Sequence, residues 1–136
     1  MVFPDAERLK RGRAAVIVCP REDCEACIKA CGFRAIERGE DELPYSDPSK
    51  CVGCGGCAAI CPDGAIGLVK HRGGSEYELT FPFDGDLPEI DDAVSVKPFR
   101  QGAETECRVI QVIPRRPRTE HALVRGVVSG EGLGIM

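Results

Sequence analysis

The sequence predicts an α+β fold: a metal-stabilised core built as an internal repeat with pseudo-two-fold symmetry, followed by a small antiparallel β-domain. Three observations predict it. Eight of the nine cysteines fall in two similar clusters between positions 19 and 61. Short apolar runs accompany both clusters. Beyond residue 75 the chain turns to short β-branched runs with one further cysteine, Cys107.

The repeat begins with Ala14-Ala15-Val16-Ile17-Val18, an apolar run that ends at Cys19. A cysteine cluster follows, then the exit segment Ala35-Ile36-Glu37-Arg38. The second copy has its own cluster and leaves through Ala65-Ile66-Gly67-Leu68-Val69. Between them, Glu40 to Pro48 reads as a polar connector rich in turn residues. In the last part Glu76-Tyr77-Glu78-Leu79-Thr80-Phe81 alternates polar and apolar, as a half-buried strand does. Ala93–Lys97, Arg108–Ile113 and His121–Val128 are further strand candidates, and Gln101-Gly102-Ala103 suits a hairpin turn. The expected organisation is a charged leader at 1–14, a cysteine-bearing domain at 15–72, a β-rich domain at 75–128 and a flexible Gly-rich tail at 129–136. The β-rich part reads as a small sheet or half-barrel.

Composition narrows the function. In 136 residues, with 29% charged and 43% apolar, the chain suits a globular protein of modest core. No secretion-signal pattern or membrane-length apolar run is apparent, so a cytoplasmic location is expected, where thiols stay reduced and bind metal rather than each other. The net charge of −4 argues against nucleic acid as a partner. Residues 19–63 hold nine acids against five bases, so the acid excess sits with the cysteines.

The second motif, Cys51-Val52-Gly53-Cys54-Gly55-Gly56-Cys57-Ala58-Ala59-Ile60-Cys61-Pro62, reads CxxCxxCxxxCP. Three thiolates at two-residue gaps wrap one loop round three iron corners of a cubane, and the small residues Gly53, Gly55 and Gly56 let backbone N–H groups approach the sulfides. The fourth cysteine lies on the next helical turn and points elsewhere. The first motif, Cys19 to Cys31, reads CxxxxCxxCxxxC, with a longer first gap and Gly32 where proline is usual. Paired zinc sites are the competing reading, but they come as CxxC knuckles rather than a three-ligand loop. A three-iron or degenerate first cluster is a further alternative. Cys107 reads as a small packing residue. His71 and His121 lack ligand spacing and read as surface or packing residues. Arg115-Arg116-Pro117-Arg118 reads as a solvated turn, with a docking contact as the alternative. No serine, cysteine–histidine or paired-carboxylate catalytic set is visible.

On these motifs residues 15–70 resemble the bacterial ferredoxins that hold two [4Fe–4S] clusters. The resemblance implies a ferredoxin-like two-cluster core. In those ferredoxins the fourth cysteine of each run serves the other cluster. The resemblance thus implies Cys19, Cys24, Cys27 and Cys61 for cluster one and Cys51, Cys54, Cys57 and Cys31 for cluster two. The order of features, including Tyr77-Glu78-Leu79-Thr80-Phe81-Pro82-Phe83, also resembles the small 4Fe–4S subunits of FAD-dependent dehydrogenases of the hydroxyproline and proline dehydrogenase type. That resemblance implies a non-catalytic subunit that relays single electrons, with FAD or FMN on partner chains of a hetero-oligomer and with other electron carriers downstream. A free ferredoxin-type carrier is the alternative expectation, and a non-redox, metal-stabilised interaction module is the second.

Overall fold

The computed structural model describes residues 4–18, 26–62, 64–97 and 104–129. These residues are mostly antiparallel sheet, and among them are three short helices. Helix α1 (Ala6–Arg11) starts where the Asp5 carboxylate accepts a hydrogen bond from the Arg8 backbone N–H, satisfying one of the unpaired donors of a first turn. Strand β1 (Ala14–Ile17) follows directly. Helix α2 (Ala26–Ala30) carries Cys27, and the short strands β2 (Ile36–Arg38) and β3 (Pro44–Ser46) pair with each other. Helix α3 (Gly56–Ile60) precedes β4 (Ile66–Gly73), β5 (Glu76–Phe83), β6 (Ala93–Val96), β7 (Thr105–Ile113) and β8 (Ala122–Ser129).

The six other strands form one sheet in the order β1-β4-β5-β8-β7-β6. Strand β1 lies antiparallel to β4, with Ala14 opposite Val69 and Ile17 opposite Ile66. All four β1 residues are buried because both its faces are covered. Period-two alternation divides them: Ala15 and Ile17 join a core with Cys27, Cys57, Cys61, Ile66 and Leu68, whereas Ala14 and Val16 join Leu9, Val69, Leu79 and Cys107. The helices α2 and α3 therefore lie on one face and α1 on the other. Val94 and Val96 of β6 also pack against the second core, so the sheet curls toward β1 without closing on it.

Several expectations change in form. The leader is folded: α1 buries Leu9 to 1% exposure and Arg8 to 9%. The polar connector contains β3, which forms because Pro44 and Ser46 face inward while Tyr45 alternates with them. The β-rich part is not appended behind the cysteine segment. The boundary expected between residues 72 and 75 falls on the turn of the β4–β5 hairpin, and β4 pairs with β1 on its other edge. The turn expected at Gln101-Gly102-Ala103 and residues 130–136 of the Gly-rich tail lie outside the described residues.

Candidate metal centre

The two cysteine segments repeat one local geometry. The Cys31 N–H donates to the Cys27 carbonyl at 3.2 Å, and the Cys61 N–H donates to the Cys57 carbonyl at 3.1 Å. Cys31 and Cys61 then each accept at their own carbonyl, from Arg34 N–H at 3.3 Å and from Gly64 N–H at 3.1 Å. Each sulfur accepts from the amide four residues on, Ala35 to Cys31 Sγ and Ala65 to Cys61 Sγ, both at 3.4 Å. The turn in each copy needs a left-handed residue, Arg34 with φ 56° and Gly64 with φ 61°. Amides aimed at sulfur are the outer contacts that orient and stabilise metal-binding thiolates.

Cys31, Cys51, Cys54 and Cys57 line one cavity, between the two cysteine segments. Cys54 is exposed, Cys31 and Cys51 are half-buried, and Cys57 is buried. A third sulfur contact comes from β1, where the Ala15 N–H donates to Cys51 Sγ at 3.4 Å. Gly53 and Gly55 take φ values of 73° and 84°, which let the chain reverse twice between Cys51 and α3. A Cβ at Gly53 would stand 2.5 Å from the Arg13 carbonyl oxygen, so this loop lies directly on the segment between α1 and β1.

Burial pushes the Cys57 thiol up to about 12, and the neighbouring Cys51 and Cys54, with Cys27, push in the same direction against the Ala58 N–H. The positive charge of a bound metal would reverse that balance, since a coordinating thiol is deprotonated outright. Among the described residues no three His, Cys, Asp or Glu side chains converge as they would for a single metal ion. Cys31, Cys51, Cys54 and Cys57, drawn from both cysteine segments, are the described cysteines that share one cavity wall. Ser46, in the same wall, buries a hydroxyl that has no hydrogen-bond partner. Buried hydroxyls are rarely left so, and a sulfur acceptor in the cavity would supply the partner.

Cys27 and Cys61 lie together in the buried core with Cys57. Cys19 and Cys24 lie outside the described residues. Cys107 packs among Leu9, Val16 and Val69, in a different core from Cys27, Cys57 and Cys61, with its sulfur over Gly126, where a Cβ would collide with it. Burial raises its thiol to about 11. His71 packs against Tyr77 with the rings tilted and their centroids 4.8 Å apart. Arg115 to Thr119 form an exposed turn closed by the Thr119 hydroxyl and backbone.

Sequence reasoning missed three long-range supports. His121 bridges Asp84 Oδ1 at 2.9 Å and the Cys61 carbonyl at 2.8 Å. The backbone N–H groups of Glu120 and His121 both donate to the Ala59 carbonyl, completing the C-terminal end of α3. Arg8 reaches the Cys51 carbonyl from α1. Spacing carries no signal of these contacts, because the partners are distant in the chain.

Residues 43–66 match the model of the 4Fe-4S binding domain family. The chain is 44% identical to the 7Fe ferredoxin of Hydrogenibacillus schlegelii over 30% of this chain and 51% of that one. It is 25% identical to hydrogenase-4 component A of Escherichia coli over 76% of this chain and 54% of that one. It is 49% identical to one subunit of the Na(+)-translocating ferredoxin:NAD(+) oxidoreductase complex of Acetobacterium woodii, over 33% of this chain and 14% of that one. The matches thus span about half or less of these relatives' lengths. No solved structure matches the chain significantly. Among the described residues no helix is long and apolar enough to cross a membrane. The family match and the ferredoxin likeness agree with the cysteine geometry: this chain carries a 4Fe–4S ferredoxin-type domain.

Proposed function

We propose that the chain is an electron-transfer protein holding two [4Fe–4S] clusters, one on Cys31, Cys51, Cys54 and Cys57 and the other on Cys19, Cys24, Cys27 and Cys61. The observation that carries this reading is the cavity lined by the first four, drawn from both cysteine segments. The sharing of ligands between segments is what the fourth cysteine of such a run does in two-cluster ferredoxins. The repeated turn at Cys31 and Cys61 supports an equivalent second site.

When bound, each cluster supplies one-electron exchange at a potential set by charge, hydrogen bonds and solvent access. The chain's own residues hold, shield and poise it. The sulfur-directed amides of Ala15, Ala35 and Ala65 stabilise negative charge. Leu68, Ile36 and Ala15 exclude water from the inner side of the cavity. Cys54 is exposed, and Phe33 and Val52 beside it on the rim are 56% and 54% exposed, so this edge is the place for exchange with a partner. On this reading residues 15–72 form the cluster-binding domain. Strands of 75–128 brace it through β4 and through the His121 contact with Cys61.

The partner we propose is a flavin-dependent dehydrogenase of the amino-acid or amine-oxidising type, with FAD or FMN on its own subunits and another flavin, a quinone or a soluble carrier downstream. The likeness of residues 77–83 to small subunits of such complexes supports it, as do relatives named as an oxidoreductase complex subunit and as a hydrogenase component. A reducing compartment, the cytoplasm, suits the thiol ligands. A free carrier is the second reading, favoured by the relative named as a ferredoxin. An anaerobic pull-down of the tagged chain, read for partner masses, flavin and iron, separates the two. A stoichiometric flavin-containing partner supports the relay subunit, and an iron-loaded chain eluting alone supports the free carrier.

A further inference from the structure

Arg8 is buried to 9% exposure, yet among the described residues its guanidinium meets only neutral acceptors. Nε donates to the Pro48 carbonyl at 2.7 Å, Nη1 to Gly12 at 3.0 Å, and Nη2 to Arg13 at 2.8 Å and Cys51 at 2.6 Å. Among the described residues no carboxylate pairs with it. The buried acid Glu78 is engaged by Arg13 at 2.6 Å and lies 3.8 Å from Arg125. A guanidinium taken from water without a counterion is costly even when its N–H groups are satisfied. The structure places this unbalanced charge one carbonyl away from a cysteine of the proposed second cluster. A cubane on four thiolates is anionic and gains one more negative charge on reduction, so a fixed cation beside it favours the reduced form. Ser46 supplies an independent observation on the same cavity: its hydroxyl is buried to 1% exposure, lacks a partner and can donate to sulfur.

Resting on the two-cluster reading, we propose that Arg8 and Ser46 are positioning residues that raise the reduction potential of the cluster on Cys31, Cys51, Cys54 and Cys57, leaving the other cluster unaffected. Arg8 acts through its charge and Ser46 through a hydrogen bond to a cluster or cysteine sulfur. Both are buried, so neither belongs to the exposed edge at Cys54.

The test is an anaerobic redox titration of the full iron-loaded chain followed by electron paramagnetic resonance, with iron content measured for each sample. Arg8→Gln is expected to shift one of two midpoints downward by at least tenfold in its oxidised-to-reduced equilibrium, about 59 mV for one electron. Ser46→Ala shifts the same midpoint downward by a smaller amount and loads fully, because it removes a hydroxyl without a protein partner. Arg8→Lys, which keeps the charge, stays closer to the wild type than to Arg8→Gln, and it reports if the Gln variant fails to load. Loaded variants with both midpoints unmoved, with both shifted alike, or with Arg8→Lys tenfold below the wild type would overturn the proposal. A wild-type chain without two reducible iron centres would instead sink the two-cluster reading beneath it.

Discussion

The three glycines of the Cys51–Cys57 loop look interchangeable in sequence, and the structure predicts that they are not. At Gly53 an alanine would have to hold φ near 73°, which costs an L-residue about 1–2 kcal/mol. Its Cβ would also stand 2.5 Å from the Arg13 carbonyl oxygen and 2.8 Å from the Arg13 carbonyl carbon. These are backbone atoms that cannot swing aside, so overpacking adds about 1–3 kcal/mol. Gly53→Ala is therefore expected to cost roughly 2–5 kcal/mol in all. Gly55 also sits in the left-handed region, with φ 84°, but its added Cβ would meet only Leu123 at 3.5 Å and Leu68 at 3.8 Å. Gly55→Ala should cost about 1–2 kcal/mol, for the dihedral alone. Gly56 is the first residue of α3, with helical backbone, and its added Cβ would find Cys54 Sγ nearest, at 3.8 Å. Gly56→Ala should be neutral or stabilising by at most about 0.5 kcal/mol, because the full alanine advantage belongs to helix interiors. The assay is anaerobic urea unfolding of the loaded chain, followed by cluster absorbance and circular dichroism. With slopes of about 1–3 kcal/mol/M, the Gly53 variant should lose its midpoint by on the order of 1–2 M. Equal midpoints for the three variants, or a Gly53 variant as stable as the Gly56 one, would refute the claim that Arg13 seats this loop.

Two further outcomes follow from the core. Glu78→Gln leaves Arg13 and Arg125 facing each other, and the Arg125 guanidinium is already pushed down by burial and by Arg13. Urea unfolding should therefore show a loss of about 3 kcal/mol, against less than about 0.5 kcal/mol for the exposed Glu76→Gln. Cys107 keeps its proton to about pH 11 in the folded chain. The unfolded thiol loses it near 8.5, so the folded state binds more protons between these values and stability falls as pH rises through that window, by up to about 1.4 kcal/mol per pH unit. Cys107→Ala should flatten that portion of the stability curve relative to the wild type, and parallel curves would show that the thiol does not contribute.

The strands and the cysteine segments are legible in the sequence because both rest on short-range patterns. Ala14–Val18, Ala65–Val69 and Glu76–Phe81 alternate or run apolar over a strand's length, and β1, β4 and β5 form there. What spacing could not show is how they combine. Strand β1 finds β4 across the two cysteine segments, and that pairing joins the cysteine-bearing part to the C-terminal strands in one sheet. Arg8 looks like one of several solvated charges in a leader, and only its four carbonyl partners make it a buried clamp. His121 has no ligand spacing because its partner at Cys61 is the backbone carbonyl, which any residue would present. Gly53 and Gly56 share a composition signal, but one meets the Arg13 backbone and the other meets ordinary space. Cys107 is readable as packing, since no other cysteine lies near it in the chain, and the core places it among aliphatic side chains.

Whether the chain holds two cubanes is decided by a count of iron and acid-labile sulfide in the anaerobically purified protein, with zinc measured in the same sample. About eight irons and eight sulfides per chain are expected, two cubanes' worth, with no stoichiometric zinc. Zinc without labile sulfide would contradict the two-cluster reading, and so would about four irons, which would leave one of the two cysteine sets without a cluster.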